Sequence, residues 1–563
     1  MHESSIIECV PNFSEGRDSS KINAIAEAIR GVEGVQLLDI DPGKATNRTV
    51  MTFVGSPEKV VEAAFAAIRC ASQIIDMRFH QGEHPRIGAT DVCPLIPISG
   101  ISMQETVEYA KKLAQRVGEE LGIPVYLYAY AAQKPNRENL ATIRAGEYEG
   151  LAQKMRDPEW IPDFGPTEFN PRAGATVIGA RDLLVAYNIN LNTRSVRRAN
   201  SVAFDLREQG RILRKGHPVL GEIVRDEKGE PVRLPGVLKA VKAIGWYIEE
   251  YGIAQVSMNL TNIRVTPIHV AFEEACKSAS ARGLRVTGSE LVGMVPLEAI
   301  LEAGRYFLKK QGLSAGASDE ELIHIAVKSL GLDELAPFDP QKKIIEYAIA
   351  KPEEHKLVNM SLKQFADETA RETPAPGGGS ISAYVGALGA ALGTMVANLS
   401  ASKRGWEEKL DFFSKWAVQG QQIKKSLVAL VDQDTMAFNQ IMQAYALPKN
   451  TDVEKEVRQK KIQEATRIAI EIPYNTLKQA YNSLSLLKSM FYEGNPNSIT
   501  DAAVGILCAR TAMEGAYFNI RINGENYEDK NWLNEIIVEA SGMIEEAQKL
   551  ENEIKNFLAQ RWG

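Results

Sequence analysis

The segment HQGEH (residues 80–84) carries the residue types best suited to acid–base or metal chemistry in this chain of 563 residues. Its HxxEH spacing matches a class of zinc peptidases, which needs both histidines on one face of a helix. Gly82 weakens a helix here, and Pro85 disfavours helical geometry at His84. We therefore expect a loop in which His84 presents its imidazole to a substrate. A structural role, the commoner one for a lone histidine, stays open, although the following HPRIGATD (residues 84–91) favours function.

Two carboxylates, Asp39 and Asp41, end a strand-like run directly before Pro42 and Gly43. Their alternation places both side chains on one face or edge of a strand. One of them is suited to orient His84 and fix its tautomer. The alternative is a solvated strand end, because Asp-Pro-Gly is ordinary turn chemistry. The two interpretations are equally supported by the residues alone.

A stiff loop, DFGPTEFNPRAG, spans residues 163–174 and combines aromatic, amide and basic groups. Such a loop is suited to a flat heterocycle, which needs an apolar slot and a few amide-like partners. It is equally a plain linker between two subdomains, and its residues by themselves favour the linker.

A glycine run, PAPGGGS (residues 374–380), precedes a helix rich in small residues. Backbone N–H groups at such a helix start can bind an anion. The run is not a P-loop, because no lysine follows at the required place. A helix-entry turn is the simpler interpretation of these residues.

Asp432 and Asp434 lie inside the helical run SLVALVDQDTMAF (residues 426–438), among apolar neighbours. Aspartate is a poor residue for the middle of a helix. Partial burial would raise the pKa of a carboxyl group and suit it to acid–base work. A solvated helix face is the alternative, and the residues alone favour it.

The first half of the chain alternates strand-like with helix-like segments, which predicts a sheet with helices on one face. Strands are predicted at residues 6–10, 35–41, 49–54, 92–98 and 125–129, and helices at 20–30, 56–75 and 103–121. A second α/β unit is predicted to begin near Gly174, with strands at 183–190, 237–251 and 253–262 and helices at 267–282 and from 296.

The composition and the residue pattern of the sequence change after residue 330. Residues 336–359 form a proline-containing connector, and prolines become rare from residue 361 onward. Long helices are predicted at residues 406–445, 453–485, 500–516 and 531–561. The fold class is therefore multidomain: two α/β (α+β sandwich-like) subdomains followed by an all-α helical bundle.

Composition is that of a globular protein, with 44% hydrophobic residues, 24% charged residues and a net charge of −7. That charge argues against a nucleic-acid binder with a basic surface. The five cysteines form no CxxC pair, which predicts a reducing compartment such as the cytoplasm and neither a zinc ribbon nor a disulfide framework. The N-terminal residues show no secretory signal pattern.

The segment ISAYVGALGAALGTMVANL (residues 381–399) could be mistaken for a membrane span. It is rich in alanine and glycine, not in leucine and isoleucine, and polar sequence flanks it on both sides. We therefore expect a buried helix of a tight bundle, and no membrane partner.

Several long segments resemble two enzyme families. Those that resemble formiminotransferases are IIECVPNFSEGRD (6–18), LLDIDPGKATNRTVMTFVG (37–55), IDMRFHQGEHPRIGATDVCPLIPI (75–98), VYLYAYAA (125–132), IRAGEYEGL (143–151), PDFGPTEFNPRAGATVIGARDLLVAYNINL (162–191), LREQGR (206–211) and AIGWYIEEYGIAQVSMNLTN (243–262). Those that resemble cyclodeaminases are TPAPGGGSISAYVGALGAALGTMV (373–396) and LVDQDTMAFNQIMQAYALPKN (430–450). Their order is that of the bifunctional formimidoyltransferase-cyclodeaminase family.

The resemblance implies roles for particular residues. The transferase acid–base histidine of that family falls on His84, its orienting partner on Asp41, and the cyclodeaminase acid–base group on Asp434. The family's folate-binding stretch falls on Gly165, Pro166, Thr167, Glu168, Phe169, Asn170, Pro171, Arg172, Ala173 and Gly174.

The resemblance also implies a pair of folate reactions in histidine degradation. A formimidoyl group moves from N-formimidoyl-L-glutamate to N5 of tetrahydrofolate, and cyclisation then gives 5,10-methenyltetrahydrofolate and ammonia. Tetrahydrofolate is a co-substrate, and neither step requires a metal. The alternatives are a glutamate formyltransferase and a folate-binding protein with an inactive site.

Further residues are candidates once those substrates are assumed. Arg48, Arg86 and Arg144 are candidates to hold the glutamate carboxylates, and Gly377, Gly378 and Gly379 to let a pteridine approach the backbone. The predicted segments are 1–180 and 181–335 for the transferase, 336–359 for a linker and 360–563 for the cyclodeaminase. Residues 216–235 look like an inserted surface hairpin, and the resemblance implies a homo-oligomer.

Overall fold

A computed structural model describes residues 5–44, 47–82, 85–216, 221–249, 251–349 and 357–563. The chain folds into two compact units. The first comprises Met1–Ile300 and Leu330–Ala350, and the second Leu301–Ser329 and Lys351–Gly563. Residues 301–329 thus belong with the helical part of the chain, and the predicted segment boundaries stay predictions.

The strands lie in the first unit. In chain order they are β1 (Ile6–Cys9), β2 (Asn12–Phe13), β3 (Val35–Gly43), β4 (Arg48–Gly55), β5 (Thr90–Ser99), β6 (Val125–Ala129), β7 (Thr176–Ala180), β8 (Val185–Leu191), β9 (Arg211–Ile212), β10 (Arg214–Lys215), β11 (Glu222–Ile223), β12 (Arg233–Leu234), β13 (Val241–Ile248), β14 (Ile253–Leu260) and β15 (Val286–Val292).

The helices occur in both units. In chain order they are α1 (Ser19–Arg30), α2 (Pro57–Ile74), α3 (Met103–Leu121), α4 (Leu140–Arg144), α5 (Glu147–Lys154), α6 (Val196–Leu206), α7 (Ile268–Ser280), α8 (Leu297–Lys310), α9 (Asp319–Leu330), α10 (Pro340–Lys343), α11 (Ile345–Ile349), α12 (Leu362–Thr369), α13 (Gly378–Ala401), α14 (Leu410–Tyr445), α15 (Asp452–Glu493), α16 (Ile499–Gly524) and α17 (Lys530–Trp562). They confirm the predicted fold class of two α/β subdomains followed by a helical bundle.

The first subdomain is a seven-stranded sheet, in the order β1-β4-β2-β5-β7-β6, with β3 paired to β4. Strands β5, β7 and β6 run parallel, and the other pairs are antiparallel. Helices α1, α2 and α3 bury their apolar stripes against one face, as predicted. The short helices α4 and α5 cover part of the opposite face beside β6 and β7. Ser56 precedes α2 and Pro57 opens it, but the Ser56 hydroxyl makes no capping hydrogen bond.

The second subdomain is a four-stranded antiparallel sheet, in the order β13-β14-β8-β15. Strand β13 is an edge strand, and α6 covers its outer side. The Asn200 side chain accepts from Gly245 N (2.9 Å) and donates to Gly245 O (3.3 Å), so a side-chain amide replaces a neighbouring strand. Covering an edge in this way prevents pairing with another chain.

The predicted insertion at residues 216–235 forms short paired strands on the surface. Strand β10 pairs with β11, and β9 pairs with β12. Residues 217–220 of this segment lie outside the described residues.

The second unit is built around the long helices α13 to α17. Helix α13 packs against α14, α15 and α16, and its glycines allow this close approach. A methyl group on Gly389 would meet the backbone of Gly505, and one on Gly386 would meet Ala512 and Leu427. Helix α13 is long and apolar enough to span a membrane, yet 61% of its most apolar window is buried within the protein. The interpretation as a buried bundle helix is confirmed.

Helices α15 and α17 run parallel and are joined by polar pairs at a constant separation of 65 residues. The phenol of Tyr474 donates to Glu539 (2.5 Å), that of Tyr481 donates to Glu546 (2.5 Å), and Lys488 donates to Glu553 (3.3 Å). The pairs recur every seven residues along each helix, so they fix the register of two parallel helices.

Candidate functional sites

The segment around the predicted catalytic histidine is described on both sides of residues 83–84. His84 itself lies outside the described residues. His80, which the sequence analysis did not propose as a site residue, is half-buried there. Its Nδ1 accepts from Arg86 Nε (3.2 Å) and its Nε2 lies 2.9 Å from Asn47 O. Because an arginine can only donate, the His80 ring is neutral with its proton on Nε2.

Burial and the neighbouring Arg86 charge lower the pKa of His80 below its usual value. The same segment therefore holds a neutral imidazole at neutral pH. His80 orients Arg86 and is not itself placed as a proton shuttle, because both ring nitrogens are already engaged.

Arg86 has a buried side chain and several partners. It donates to Glu149 (2.7 and 2.9 Å), to Glu147 (2.9 Å) and to His80 O (3.3 Å). These carboxylates raise the pKa of Arg86 above the usual value, and the hydrogen bonds that Arg86 donates to Glu149 are the largest cause. A cleft of about 400 Å³ opens between this arginine and Gln81. In the described residues the carboxylates that Arg86 binds belong to the protein itself, so its role in holding the glutamate carboxylates of a substrate stays a prediction.

A second cluster joins Arg48, Asp91 and Arg144. Asp91 is 1% exposed, pairs with Arg144, and accepts the N–H of Ile87 (3.0 Å). Burial raises the pKa of Asp91, and the two arginines oppose that effect. Burial and the charge of Arg144 lower the pKa of Arg48. Arg144 thus pairs directly with the buried Asp91, and the charge of Arg48 also acts on that carboxylate.

Asp39 and Asp41 lie on β3, opposite Thr52 and Val50 of β4. They face the same side, as the alternation predicted. Desolvation and the charge of Asp41 raise the pKa of Asp39. Asp41 contributes to the field at Arg48, so it belongs to the arginine cluster. Its orientation of His84 stays a prediction, because residue 84 lies outside the described part of the chain.

The predicted folate-binding stretch, residues 165–174, is a defined loop. Asn170 Oδ1 accepts the N–H groups of Arg172 (3.1 Å) and Ala173 (3.0 Å). Gly174 has a φ of +68° and packs on Gly88, where a side chain would collide with the backbone. The loop therefore lies beside the segment that carries Arg86. Its role in folate binding stays a prediction.

Helix α5 connects this loop to the arginines. Tyr148 N donates to Arg86 O (2.9 Å), and the Tyr148 phenol donates to Pro171 O (2.5 Å). The ring of Tyr148 lies 5.5 Å from that of Phe169, measured between centroids. The structure thus brings together Arg86 and the 165–174 loop, which are about 80 residues apart in sequence.

The sequence analysis missed the carboxylates that organise the arginines, namely Asp91, Glu147 and Glu149. Glu147 and Glu149 occur in the segment IRAGEYEGL beside Arg144, and Asp91 ends HPRIGATD. Their proximity in segments already singled out was the available signal. A pairing between residues 86 and 149 depends on how distant segments fold, so no local pattern reports it.

The second unit contains a separate polar site at the start of α13. Asp434 of α14 accepts the Ser380 hydroxyl (2.9 Å) and the Ser380 backbone N–H. A methyl group on Gly379 would collide with the Asp434 carboxylate, and one on Gly378 would contact the Asn519 amide at 3.4 Å. Two segments that the sequence analysis proposed separately, residues 377–379 and Asp434, therefore lie in direct contact.

Burial raises the pKa of Asp434, and the hydrogen bonds from Ser380 oppose that rise. Asp432, two residues away, has a different role, because its carboxylate accepts the N–H of Leu357 (2.7 Å). Asp432 thus anchors the segment that enters the bundle. Asp434 is therefore the carboxyl group at the start of α13 whose pKa is raised, which is the direction that suits acid–base catalysis.

Metal ligands do not cluster in the described residues: no group of three or more His, Cys, Asp or Glu side chains there is arranged to hold an ion. All five cysteines are free.

Family models match nearly the whole chain. A model described as "Formiminotransferase domain, N-terminal subdomain" matches residues 6–181, and one described as "Formiminotransferase domain" matches residues 186–350. One described as "Formiminotransferase-cyclodeaminase" matches residues 361–542.

Three relatives show how the two halves occur elsewhere. A formimidoyltransferase-cyclodeaminase from Gallus gallus is 44% identical over 97% of both chains. A glutamate formimidoyltransferase from Thermoplasma acidophilum is 43% identical over 55% of this chain and 95% of its own length. A methenyltetrahydrofolate cyclohydrolase from Methylorubrum extorquens is 34% identical over 35% of this chain and 94% of its own. The resemblance found in the sequence is confirmed.

Proposed function

This chain belongs to the formimidoyltransferase-cyclodeaminase family, and we propose that it catalyses two consecutive folate reactions. The first unit transfers a formimidoyl group from N-formimidoyl-L-glutamate to N5 of tetrahydrofolate. The second unit closes the product to 5,10-methenyltetrahydrofolate and releases ammonia. The observation that carries the proposal is the presence of two separate polar sites, an arginine cluster in one unit and a buried carboxyl group in the other.

The transfer needs one base and one acid. N5 of tetrahydrofolate attacks the formimidoyl carbon, and the tetrahedral intermediate expels the amine of glutamate. N5 loses one proton and the departing nitrogen gains one, so a single imidazole can perform both transfers. His84 is the proposed shuttle, and Asp41 is its proposed orienting partner.

The donor carries two carboxylates, which need positive charge in a partly desolvated setting. Arg144 and Arg48 are proposed to supply it, because both guanidinium charges act at the same buried point of the fold, around Asp91. Arg86 is a weaker candidate, since Glu147 and Glu149 already occupy its guanidinium group. The 165–174 loop, joined to Arg86 through Tyr148, is proposed to contact the folate.

Cyclisation forms a bond from N10 to the formimidoyl carbon and breaks the bond from that carbon to the terminal nitrogen. The terminal =NH nitrogen takes up two protons, one released by N10 and one from solvent, and departs as ammonia, so that the methenyl product carries the positive charge. Asp434 is the proposed carrier, because its raised pKa brings it closer to neutral pH. Gly377 and Gly378 are proposed to let the ring system approach the backbone, whereas Gly379 makes room for the Asp434 carboxylate.

The test follows both products in one mixture of the protein, tetrahydrofolate and N-formimidoylglutamate. Methenyltetrahydrofolate absorbance and ammonia should rise in equal amounts. His84→Ala should abolish transfer and leave cyclisation of supplied 5-formimidoyltetrahydrofolate, and Asp434→Asn should do the reverse. Loss of both activities from either change in a folded protein would contradict the division of labour. In a parallel mixture that contains N-formylglutamate in place of N-formimidoylglutamate, consumption of the formyl compound without release of ammonia would support the formyltransferase instead.

The Methylorubrum relative raises a second candidate for the helical unit, namely hydrolysis of methenyltetrahydrofolate. Adding methenyltetrahydrofolate to the unmodified protein distinguishes a cyclodeaminase from a cyclohydrolase. A cyclodeaminase releases ammonia from the formimidoyl compound, whereas a cyclohydrolase accelerates opening of the methenyl ring by water.

We also propose a homo-oligomer and a cytoplasmic location. Leu388 and Leu399 on α13 and Val504 and Leu507 on α16 are 40–49% exposed on two helices that pack side by side. Such a patch favours a second copy of the chain. Sedimentation of Leu388→Lys should show smaller particles than the control Val538→Lys on α17. Five free cysteines are consistent with a reducing compartment.

A further inference from the structure

Helix α5 contacts three of the described elements proposed to bind substrate in the first unit: Arg86, the 165–174 loop and the end of α4. Its first turn holds Arg86 through Glu147 and Glu149, and Tyr148 reaches the 165–174 loop. Its last residue, Lys154, reaches in the other direction, to α4. Helix α4 ends at Arg144, so α5 links both arginine clusters.

Lys154 uses all three of its protons on the end of α4. Its Nζ donates to the carbonyl oxygens of Ile143 (2.7 Å), Thr142 (2.9 Å) and Ala145 (3.1 Å). A helix of five residues is marginal by itself, and its last carbonyls lack partners within the helix. A cation at that end satisfies them and favours the helix dipole.

The surroundings of Lys154 are unusual for a lysine that only caps a helix. Its Nζ lies 3.8 Å from the centroid of the Trp160 ring. Burial, followed by the charge of Arg137, lowers the pKa of Lys154 to about 8. Desolvating this cation costs free energy, and water could satisfy the carbonyls of an exposed helix end without it.

We propose that Lys154 is a positioning residue of the transferase, which acts by fixing the end of α4 and hence the guanidinium group of Arg144. This inference rests on the proposed function, in which Arg144 receives a carboxylate of N-formimidoylglutamate. Asp91 fixes the side chain of Arg144 by an ion pair, and Lys154 fixes the backbone next to Arg144 by its hydrogen bond to the Ile143 carbonyl. The guanidinium is therefore in place before substrate arrives, which reduces the ordering cost of binding.

The first experiment measures transferase kinetics of the full chain with Lys154→Met, Lys154→Gln and Lys154→Arg. Lys154→Met should raise KM for N-formimidoylglutamate about tenfold and leave kcat within about twofold, because it removes hydrogen bonds from a charged donor. Lys154→Arg should restore KM to within about threefold, since a cation with several donors remains. Lys154→Gln should lie between them, and it carries the test if Lys154→Met fails to fold.

Lys134 is a matched control. It lies in the same region, but its ammonium group donates to the carbonyl of Glu159 (3.0 Å) and lies 4.0 Å from the Glu159 carboxylate, whereas that of Lys154 donates to the end of α4. Lys134→Met should leave KM unchanged, and all variants should keep cyclodeaminase activity on supplied 5-formimidoyltetrahydrofolate. An unchanged KM in Lys154→Met, or an equal loss in kcat and KM that Lys154→Arg does not rescue, would overturn the positioning role.

A double-mutant cycle with Arg144→Met separates this inference from the proposed function. If Lys154 acts through Arg144, Lys154→Met adds nothing to KM once Arg144 is gone. If the two effects multiply, Lys154 acts elsewhere and the inference is wrong. If Arg144→Met alone leaves KM unchanged, the assignment of Arg144 as the carboxylate ligand is wrong instead.

Discussion

The two units place their candidate site residues by different physical means. In the first unit, ion pairs between distant segments hold the arginines: Arg86 with Glu149, and Arg144 with Asp91. In the second unit, close packing of glycines on neighbouring helices brings Asp434 to the start of α13. The first site is therefore a network of side chains from segments distant in sequence, and the second depends on backbone geometry.

This difference decides which substitutions matter in each unit. Removing one partner of a buried ion pair leaves an uncompensated charge, so the first unit should lose stability together with its site. Adding a single methyl group to a glycine should displace the second site without breaking any ion pair. Variants in both units test the contrast.

The largest effect is expected from Gly379→Ala. The added methyl group would occupy the position of the Asp434 carboxylate, which must rotate away from Ser380. Cyclodeaminase activity should fall by about a hundredfold or more, the range lost with an acid–base group. Transferase activity should be unchanged, and the folding cost small, because the displaced atoms are the end of a side chain.

Gly542→Ala on α17 is the control, since nothing lies within 4 Å of a methyl group there. It should stabilise the helix slightly and leave both activities intact. Full cyclodeaminase activity in Gly379→Ala would show that Asp434 does not need its present position, and would remove the contrast between the units.

The next largest effect is expected from Arg137→Met in the first unit. Arg137 is fully buried, pairs with Asp163 (2.7 Å), and its guanidinium carbon lies 5.2 Å and 5.7 Å from the ring centroids of Tyr126 and Trp160. The free energy of unfolding should fall by about 3–5 kcal/mol, because the Asp163 charge is left buried and unpaired. Lys111→Met, in an exposed pair with Glu108, should cost below about 1 kcal/mol. Urea unfolding of both variants provides the measurement, and equal costs would contradict the role of burial.

Local sequence patterns predicted the elements of both units but not their contacts. The predicted bounds of α3 and β6 equal the observed ones, Met103–Leu121 and Val125–Ala129. These bounds could be predicted because periodicity and capping are local features of the sequence. The helices α4 and α5 were not predicted, because five and eight residues carry too little periodicity. Without α5, the link between Arg86 and the 165–174 loop could not be predicted.

The site in the second unit was more accessible to sequence reasoning. The residues 377–379 and Asp434 were each proposed, and both stand out locally: a glycine run opens a helix, and an aspartate occurs within an apolar helical stretch. Their contact follows from the antiparallel packing of α13 and α14, which no local pattern specifies. Ser380, which donates to Asp434, lies next to the glycines but has no unusual sequence signal.

A smaller, pH-dependent effect is expected from Glu8→Gln in the first unit. Glu8 is 4% exposed, and burial raises its pKa from 4.5 to about 7, against the opposing charge of Arg181. Between those pH values the folded state binds a proton that the unfolded state has lost. The native protein should therefore lose up to about 3 kcal/mol of stability as pH rises from 4.5 to 7.

Glutamine lacks this charge, so Glu8→Gln should match the native protein near pH 4.5 and exceed its stability by about 3 kcal/mol at pH 8. Hydrogen exchange of amides in β1 and β5 measures the difference across pH. A variant that is less stable than the native protein at pH 8 would mean that the Glu8–Arg181 interaction outweighs the burial of the charge.

The smallest effects are expected from the tyrosine–glutamate pairs between α15 and α17. Tyr481→Phe removes one hydrogen bond to Glu546 at the surface and should cost below about 1 kcal/mol. Successive pairs are seven residues apart, or about 10 Å along the helix, so their contributions should add. Urea unfolding of Tyr474→Phe, Tyr481→Phe and the double variant tests this sum.

A double-mutant cycle in the first unit provides the comparison. The costs of Glu147→Gln and Glu149→Gln should not add, because both carboxylates share Arg86. Additivity in both units would mean that the first unit is not a network at all, and that its arginines are held by independent contacts.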